Sequence, residues 1–64
     1  MGYFWATENF AFPDSELFGE YRGRGVRVTY CLDYNPPIIK DENDNRLAGI
    51  VRGFVLDKII RTDL

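Results

Sequence analysis

The chain has 64 residues, a formal net charge of −2, one cysteine and no histidine. A chain of this length folds as one small domain, which we place over residues 1–64, and it buries only about 60% of the surface of its unfolded state. The lack of histidine removes the commonest general base, and a single cysteine excludes an intrachain disulfide and a Cys/His zinc site. We therefore predict a binding module that is not an enzyme and uses no metal or cofactor.

The cysteine content and the hydropathy pattern indicate in which cellular compartment the protein resides. A lone cysteine, Cys31, is typical of a reducing environment rather than of a disulfide-stabilised secreted protein. No apolar run approaches the roughly 20 residues that cross a bilayer, and no basic stretch followed by a long apolar stretch opens the chain, as in a signal peptide. We expect an intracellular protein of the cytoplasm or nucleus, monomeric and not inserted in membranes.

The first third of the chain is rich in aromatic residues and short extended segments. Tyr3–Thr7 predicts a first strand, Glu8-Asn9 a turn, and Phe10–Phe12 a second strand that stops at Pro13-Asp14. The two strands are expected to pair as a hairpin. Ser15–Tyr21 fits either a third strand or one helical turn capped by the serine.

The clearest element is a strand from Arg24 to Tyr34. Valine, tyrosine and leucine at the even positions alternate with mostly polar residues at the odd positions, which is typical of a half-buried strand. The strand ends at Asn35-Pro36-Pro37, because proline cannot donate a hydrogen bond to a sheet.

A second long strand is predicted for Leu47–Leu56, with apolar residues on both of its faces and bends at its glycines. The acidic and amide residues Asp41–Asn45 form the preceding turn, and we interpret their charges as solvated. The strand would make a long hairpin with Arg24–Tyr34, with Ile38-Ile39 extending its base or packing over its end. The tail, Asp57–Leu64, would add a last short strand or a helical turn.

Five short strands punctuated by glycine indicate the fold class. No long segment shows the 3.6-residue period of a helix, so a helical bundle is excluded. The prediction is an all-β protein, a small five-stranded antiparallel barrel of the OB type, with an SH3-like or Tudor-like barrel as the alternative.

The aromatic content of 16% is the main indication of function. A barrel this small cannot enclose all the large apolar side chains, and apolar residues that cluster on a surface mark interaction sites. Rings beside arginines suit single-stranded RNA or DNA, because bases stack on rings and arginines contact phosphates. The candidate binding residues are Trp5, Phe10, Phe12, Phe18, Tyr21, Arg22, Arg24 and Arg27. The same rings also fit a hydrophobic core or a protein partner, and these alternatives stay open.

The order of motifs adds a family resemblance. The segments concerned are Gly2-Tyr3-Phe4-Trp5, Asn9-Phe10-Ala11-Phe12, Leu17-Phe18-Gly19-Glu20-Tyr21, Arg24-Gly25-Val26-Arg27-Val28-Thr29-Tyr30 and Ala48 to Leu56. In this order they resemble the strands and the two RNA-binding motifs of cold-shock domains. The resemblance implies an OB-like barrel that binds single-stranded nucleic acid. Glu8-Asn9 stands where the family has lysine-glycine, and Glu20 where it has histidine, so a protein-interaction barrel remains the second hypothesis.

Overall fold

A computed structural model describes residues 3–62 of the chain. Its elements, in order, are strand β1 (Ala6–Ala11), a 3-10 helix (Glu16–Tyr21), strand β2 (Gly25–Cys31), strand β3 (Ile38–Lys40) and helix α1 (Gly49–Thr62). The strands form an open antiparallel sheet in the order β1-β2-β3, and the helix packs on one of its faces. The predicted all-β, five-stranded barrel is therefore wrong, and so are its SH3-like and Tudor-like alternatives.

Strand β1 runs without a break through the predicted turn at Glu8-Asn9. It pairs with β2 in a register that places Ala6 opposite Tyr30 and Phe10 opposite Val26. The predicted N-terminal hairpin is wrong, because the side chains of this segment continue the period-two alternation of a single strand. The carboxylate of Glu8 accepts a hydrogen bond from the Tyr30 hydroxyl, which compensates for a charged residue on the helix side of the sheet.

The central strand confirms most of the predicted Arg24–Tyr34 element. Val26, Val28 and Tyr30 are buried against the helix, as their alternation indicates. The strand ends at Cys31 rather than at Tyr34. Its partner in the second hairpin is β3, where Lys40 pairs with Thr29, and not the segment Leu47–Leu56.

Helix α1 replaces the predicted strand Leu47–Leu56 and includes the tail as far as Thr62. Its inward side chains, Val51, Val55 and Ile59, recur every four residues, so they lie along one side of a helix. Read with a period of two, Val51 and Val55 fall on one face of a strand and Phe54 and Leu56 on the other, so the segment resembles a strand buried on both sides, which explains the error. Met1, Gly2, Asp63 and Leu64, including parts of the predicted first motif and tail, lie outside the described residues.

The helical alternative for Ser15–Tyr21 is confirmed. The Ser15 side chain caps the 3-10 helix by accepting the backbone N–H of Leu17 at 3.3 Å. Phe18, on this helix, faces the core, where its ring centroid lies 5.2 Å from that of Phe54 on α1.

The core lies between the sheet and α1, with the 3-10 helix closing one end. Its buried members are Phe10, Phe12, Phe18, Val26, Val28, Tyr30, Ile39, Leu47, Val55 and Ile59. Among residues 3–62, no helix or strand packs over the opposite face of the sheet, although Cys31 on that face is fully buried. Within the same range, α1 is too short and too polar to span a membrane, and no other helix qualifies.

Substitution of two glycines tests whether residues 49–62 form a helix. Gly53 lies inside α1 with nothing within 4 Å of an added Cβ, whereas Gly49 has a φ of 60°. We expect Gly53→Ala to raise the free energy of unfolding by about 0.5–1 kcal/mol, since alanine favours a helix over glycine. Gly49→Ala should lower it by about 1–2 kcal/mol, because a side chain disfavours positive φ. Urea unfolding followed by circular dichroism measures both, and a destabilising Gly53→Ala would contradict a helix here.

Adjacent isoleucines offer a matched test of the buried side of α1. Ile59 is 5% exposed and Ile60 is 56% exposed. We expect Ile59→Ala to cost about 2–5 kcal/mol of unfolding free energy and Ile60→Ala to change it by less than about 0.5 kcal/mol. If the two losses are equal in thermal or urea unfolding, the packing of α1 on the sheet is wrong.

Candidate functional site

Three of the rings proposed to stack on bases lie in the hydrophobic core. Phe10, Phe12 and Phe18 are all buried, and the rings of Phe12 and Phe18 are 5.8 Å apart. The Phe12 ring also lies 5.3 Å from Phe54 of α1. These three side chains stabilise the fold and are not accessible to a base, so they do not form the platform that we expected.

Three further candidates, Tyr21, Arg22 and Arg24, form hydrogen bonds and ion pairs beside the 3-10 helix. The Tyr21 hydroxyl donates to the Asp41 carboxylate at 2.6 Å. Arg22 pairs with Asp14 at 2.6 Å, and Arg24 donates to a carboxylate oxygen of Glu42 at 3.4 Å and to the Glu20 carbonyl at 3.0 Å. With their charges matched by acidic neighbours, these arginines present little free positive charge.

The structure brings the remaining two candidates, Trp5 and Arg27, to the uncovered side of the sheet. We call this surface the outer face, and its polar and aromatic residues are Trp5, Thr7, Asn9, Arg27, Thr29, Lys40 and Arg46. The cross-strand pairs Asn9–Arg27, Thr7–Thr29 and Thr29–Lys40 place these side chains side by side. The hydroxyls of Thr7 and Thr29 are 3.1 Å apart, within hydrogen-bond distance.

One end of the outer face carries a cluster of rings, which we call the aromatic corner: Tyr3, Trp5 and Tyr34. The ring centroid of Tyr34 lies 4.4 Å from that of Tyr3 and 5.9 Å from that of Trp5. The ammonium group of Lys40 lies 5.7 Å from the Trp5 ring centroid, within cation–π range. The Trp5 side chain nevertheless remains 37% exposed, so part of the indole surface is accessible.

Positive charge accompanies the rings. Arg46 forms an antiparallel bridge with Lys40, which puts its side chain on the same side of the sheet. Lys40 has an acidic neighbour, Asp44, at 3.4 Å. Within residues 3–62, neither Arg27 nor Arg46 has a side-chain hydrogen bond or an ion pair, and both are exposed. The outer face is therefore basic and aromatic although the chain as a whole is acidic.

The candidate residues taken from the sequence did not include four residues of the outer face and its aromatic corner: Tyr3, Tyr34, Lys40 and Arg46. Tyr34 continues the alternation of the central strand, yet it belongs to the loop that folds back over Trp5. Lys40 and Arg46 flank the turn and meet only because β3 pairs back with residue 46. No local pattern marks these contacts, since each joins residues from different elements.

The turn at Asp41–Asn45 is confirmed, but its first carboxylate is not solvated as expected. Asp41 is 5% exposed and accepts the backbone N–H groups of Asn43 at 2.9 Å and Asn45 at 2.8 Å. Burial opposes ionisation of this group, but the hydrogen bonds from Tyr21, Asn45 and Asn43 outweigh it and hold the pKa of Asp41 below its usual value. An aspartate at the start of a polar segment is the signal for such a turn, because its carboxylate accepts the backbone N–H two residues later.

The hydrogen bond between Tyr21 and Asp41 also changes the pKa of the tyrosine. Burial, and then the hydrogen bond to the Asp41 carboxylate, raise the pKa of Tyr21 well above its usual range. The tyrosine therefore stays protonated at neutral pH and acts as a donor that orders the turn.

A groove lies on the helix side of the sheet, away from the outer face. It has a volume of about 290 Å³ and is lined by Phe4, Ala6, Glu8, Tyr30, Leu32, Asp33, Ile59 and Thr62. Phe4 is 76% exposed at its edge. Among the described residues, two carboxylates and no basic side chain line the groove, so its electrostatic character is opposite to that of the outer face.

Comparisons with protein-family models, curated proteins and solved structures found no match to this chain. The candidate site therefore rests on its own geometry and charge.

The buried carboxylate predicts a pH dependence of stability. Because the pKa of Asp41 is lower in the folded chain than the unfolded value of about 3.9, its contribution is complete above that value. The contribution is lost as the pH falls through the folded pKa. We expect Asp41→Asn to lower the free energy of unfolding at pH 7 and to flatten its decline between pH 5 and pH 2.

The control is Asp44→Asn, which removes an exposed charge from the same turn. Urea unfolding at a series of pH values measures all three proteins. If Asp41→Asn and Asp44→Asn have the same pH profile, the assigned role of Asp41 is contradicted.

Proposed function

We propose that this chain binds single-stranded nucleic acid on its outer face, with Trp5 and Tyr34 stacking on bases. The observation that supports this function best is the aromatic corner at the end of an uncovered, basic sheet face. Lys40, beside the Trp5 ring, and Arg27, farther along the same face, contact the phosphates of the strand.

Each component of this surface has a physical counterpart in the ligand. A base that stacks on an aromatic ring contributes about 1–3 kcal/mol, with little dependence on its sequence. The Lys40 ammonium, placed over Trp5, can bind a phosphate next to the stacked base. Thr7, Asn9 and Thr29 supply hydroxyl and amide groups that hydrogen-bond to sugars and bases.

The charge distribution favours a single strand over a duplex. Binding along duplex DNA needs many phosphate contacts, whereas the outer face offers three cations: Arg27, Lys40 and Arg46. Flat rings have no counterpart in a duplex, whose bases are already stacked. For three phosphate contacts on a single strand, we expect the logarithm of affinity to fall against the logarithm of salt concentration with a slope of about −2.

The only tryptophan of the chain provides the readout. We expect a single-stranded oligothymidine to quench Trp5 fluorescence at low salt, since a stacked base contacts the indole directly. Trp5→Ala should weaken binding by about 5- to 150-fold, the equivalent of about 1–3 kcal/mol, in anisotropy titrations with a labelled oligonucleotide.

Matched variants separate the outer face from general charge and apolar effects. Arg27→Gln should weaken binding and reduce the magnitude of the salt slope by about 0.7. Arg61→Gln, on the exposed side of α1, and Phe4→Ala, at the groove, should leave both the affinity and the slope unchanged. Unchanged fluorescence at low salt, or equal effects of Arg27→Gln and Arg61→Gln, would show that the proposed function is wrong.

A protein partner is the second candidate, because the groove exposes Phe4 beside Leu32 and carries the carboxylates of Glu8 and Asp33. Charge complementarity then selects a partner segment with a basic residue flanked by apolar ones. Binding of such a synthetic peptide that is abolished by Phe4→Ala, with no response to oligonucleotides, would favour this function over the first.

A further inference from the structure

A second cavity opens beside β3, next to the aromatic corner. It has a volume of about 450 Å³ and lies between the loop that follows β2 and the segment that leads into α1. We call it the edge pocket; its lining residues are Tyr34, Asn35, Pro36, Pro37, Ile38, Ile39, Arg46, Leu47, Ala48 and Arg52. Its size is within the range of small-molecule sites.

The walls of the edge pocket are of three kinds. Ile39 and Leu47 are buried core residues and give it an apolar floor. Tyr34 supplies an aromatic wall. Arg46 and Arg52 supply positive charge, and none of the lining residues is acidic.

The two guanidinium groups have free donors. Arg46 is exposed, and no side-chain hydrogen bond or ion pair to it is found within residues 3–62. Arg52 is half-buried and is oriented by one hydrogen bond of 3.1 Å from its Nη2 to the carbonyl oxygen of Pro37. A guanidinium group has five N–H donors, so that of Arg52 keeps most of its donors available for an anion.

An aromatic wall, an apolar floor and two arginines without a carboxylate fit an aromatic ring that carries a phosphate. A phosphate monoester has a charge of about −1.5 to −2 at neutral pH, whereas a phosphodiester has a single negative charge. Two arginines therefore match the charge of the monoester better. We infer that the edge pocket binds a terminal nucleotide, with its base against Tyr34 and its phosphate monoester at Arg46 and Arg52.

This inference rests on the proposed function. It adds that the bound strand has a phosphorylated end, which the proposed function does not specify. Tyr34 belongs both to the aromatic corner and to the wall of the edge pocket, so the two surfaces are continuous. A strand that crosses the outer face from Arg27 towards Trp5 therefore ends at the pocket. The preferred ligand is a single strand with a phosphorylated end, and a free mononucleotide shares the same chemistry.

The test compares three labelled octathymidines, with a 5′-phosphate, a 3′-phosphate or hydroxyl groups at both ends, in anisotropy titrations at constant salt. We expect one phosphorylated end to raise the affinity about 10-fold and Arg46→Gln to abolish this preference. Arg27→Gln is the control, because it should weaken all three ligands equally and leave the preference intact. Thymidine monophosphate should displace the phosphorylated strand less effectively from Arg46→Gln than from the unaltered protein.

The outcomes separate the two proposals. If all three strands bind equally well and Trp5→Ala weakens each of them, the outer face binds nucleic acid and the inference about the edge pocket is overturned. A preference that survives Arg46→Gln overturns it as well. If no strand binds at low salt, the proposed function is wrong, and the terminal-nucleotide assignment is wrong with it.

Discussion

The packing of α1 against one face of the sheet is the constraint on which the other features depend. Phe54 contacts Phe12 at 5.3 Å and Phe18 at 5.2 Å, and Val55 and Ile59 are buried beneath the strands. These side chains belong to one apolar core, and apolar burial is the dominant favourable contribution to folding. The packing of α1 also determines which sheet face is exposed to solvent.

The outer face is the consequence of that asymmetry. Within residues 3–62, the helices pack on only one side of the sheet, so the side chains of Trp5, Arg27 and Lys40 lie together on the other side. Several acidic residues form ion pairs away from the outer face. Beside the 3-10 helix, Asp14 pairs with Arg22 and Glu42 pairs with Arg24. A chain with a net negative charge can therefore present a local basic and aromatic surface, and charge counts over the whole sequence do not describe it.

Some of the fold was predictable because its signals are local. The alternation around Val26 and Val28 predicts β2, the serine at position 15 predicts a capped turn, and Asp41–Asn45 predicts the loop before the helix. Helix α1 was missed because apolar residues at both odd and even positions, such as Val55 and Phe54, resemble a strand buried on both sides, and because Gly53 indicates a bend in a strand while a helix tolerates it. Of the eight binding residues predicted from the sequence, only Trp5 and Arg27 lie on the outer face.

By itself, the sequence determined the residue chemistry: no histidine, one cysteine, many rings, and the period-two pattern of the central strand. Only the tertiary structure decided which rings are core and which are surface. Phe10 and Trp5 are similar aromatic residues on one extended segment, but they point to opposite sides of it. The helix docks on the side of Phe10, so that ring is buried and the indole remains partly exposed. Alternation along a strand separates two faces, but the partner that covers one of them lies far away in the sequence.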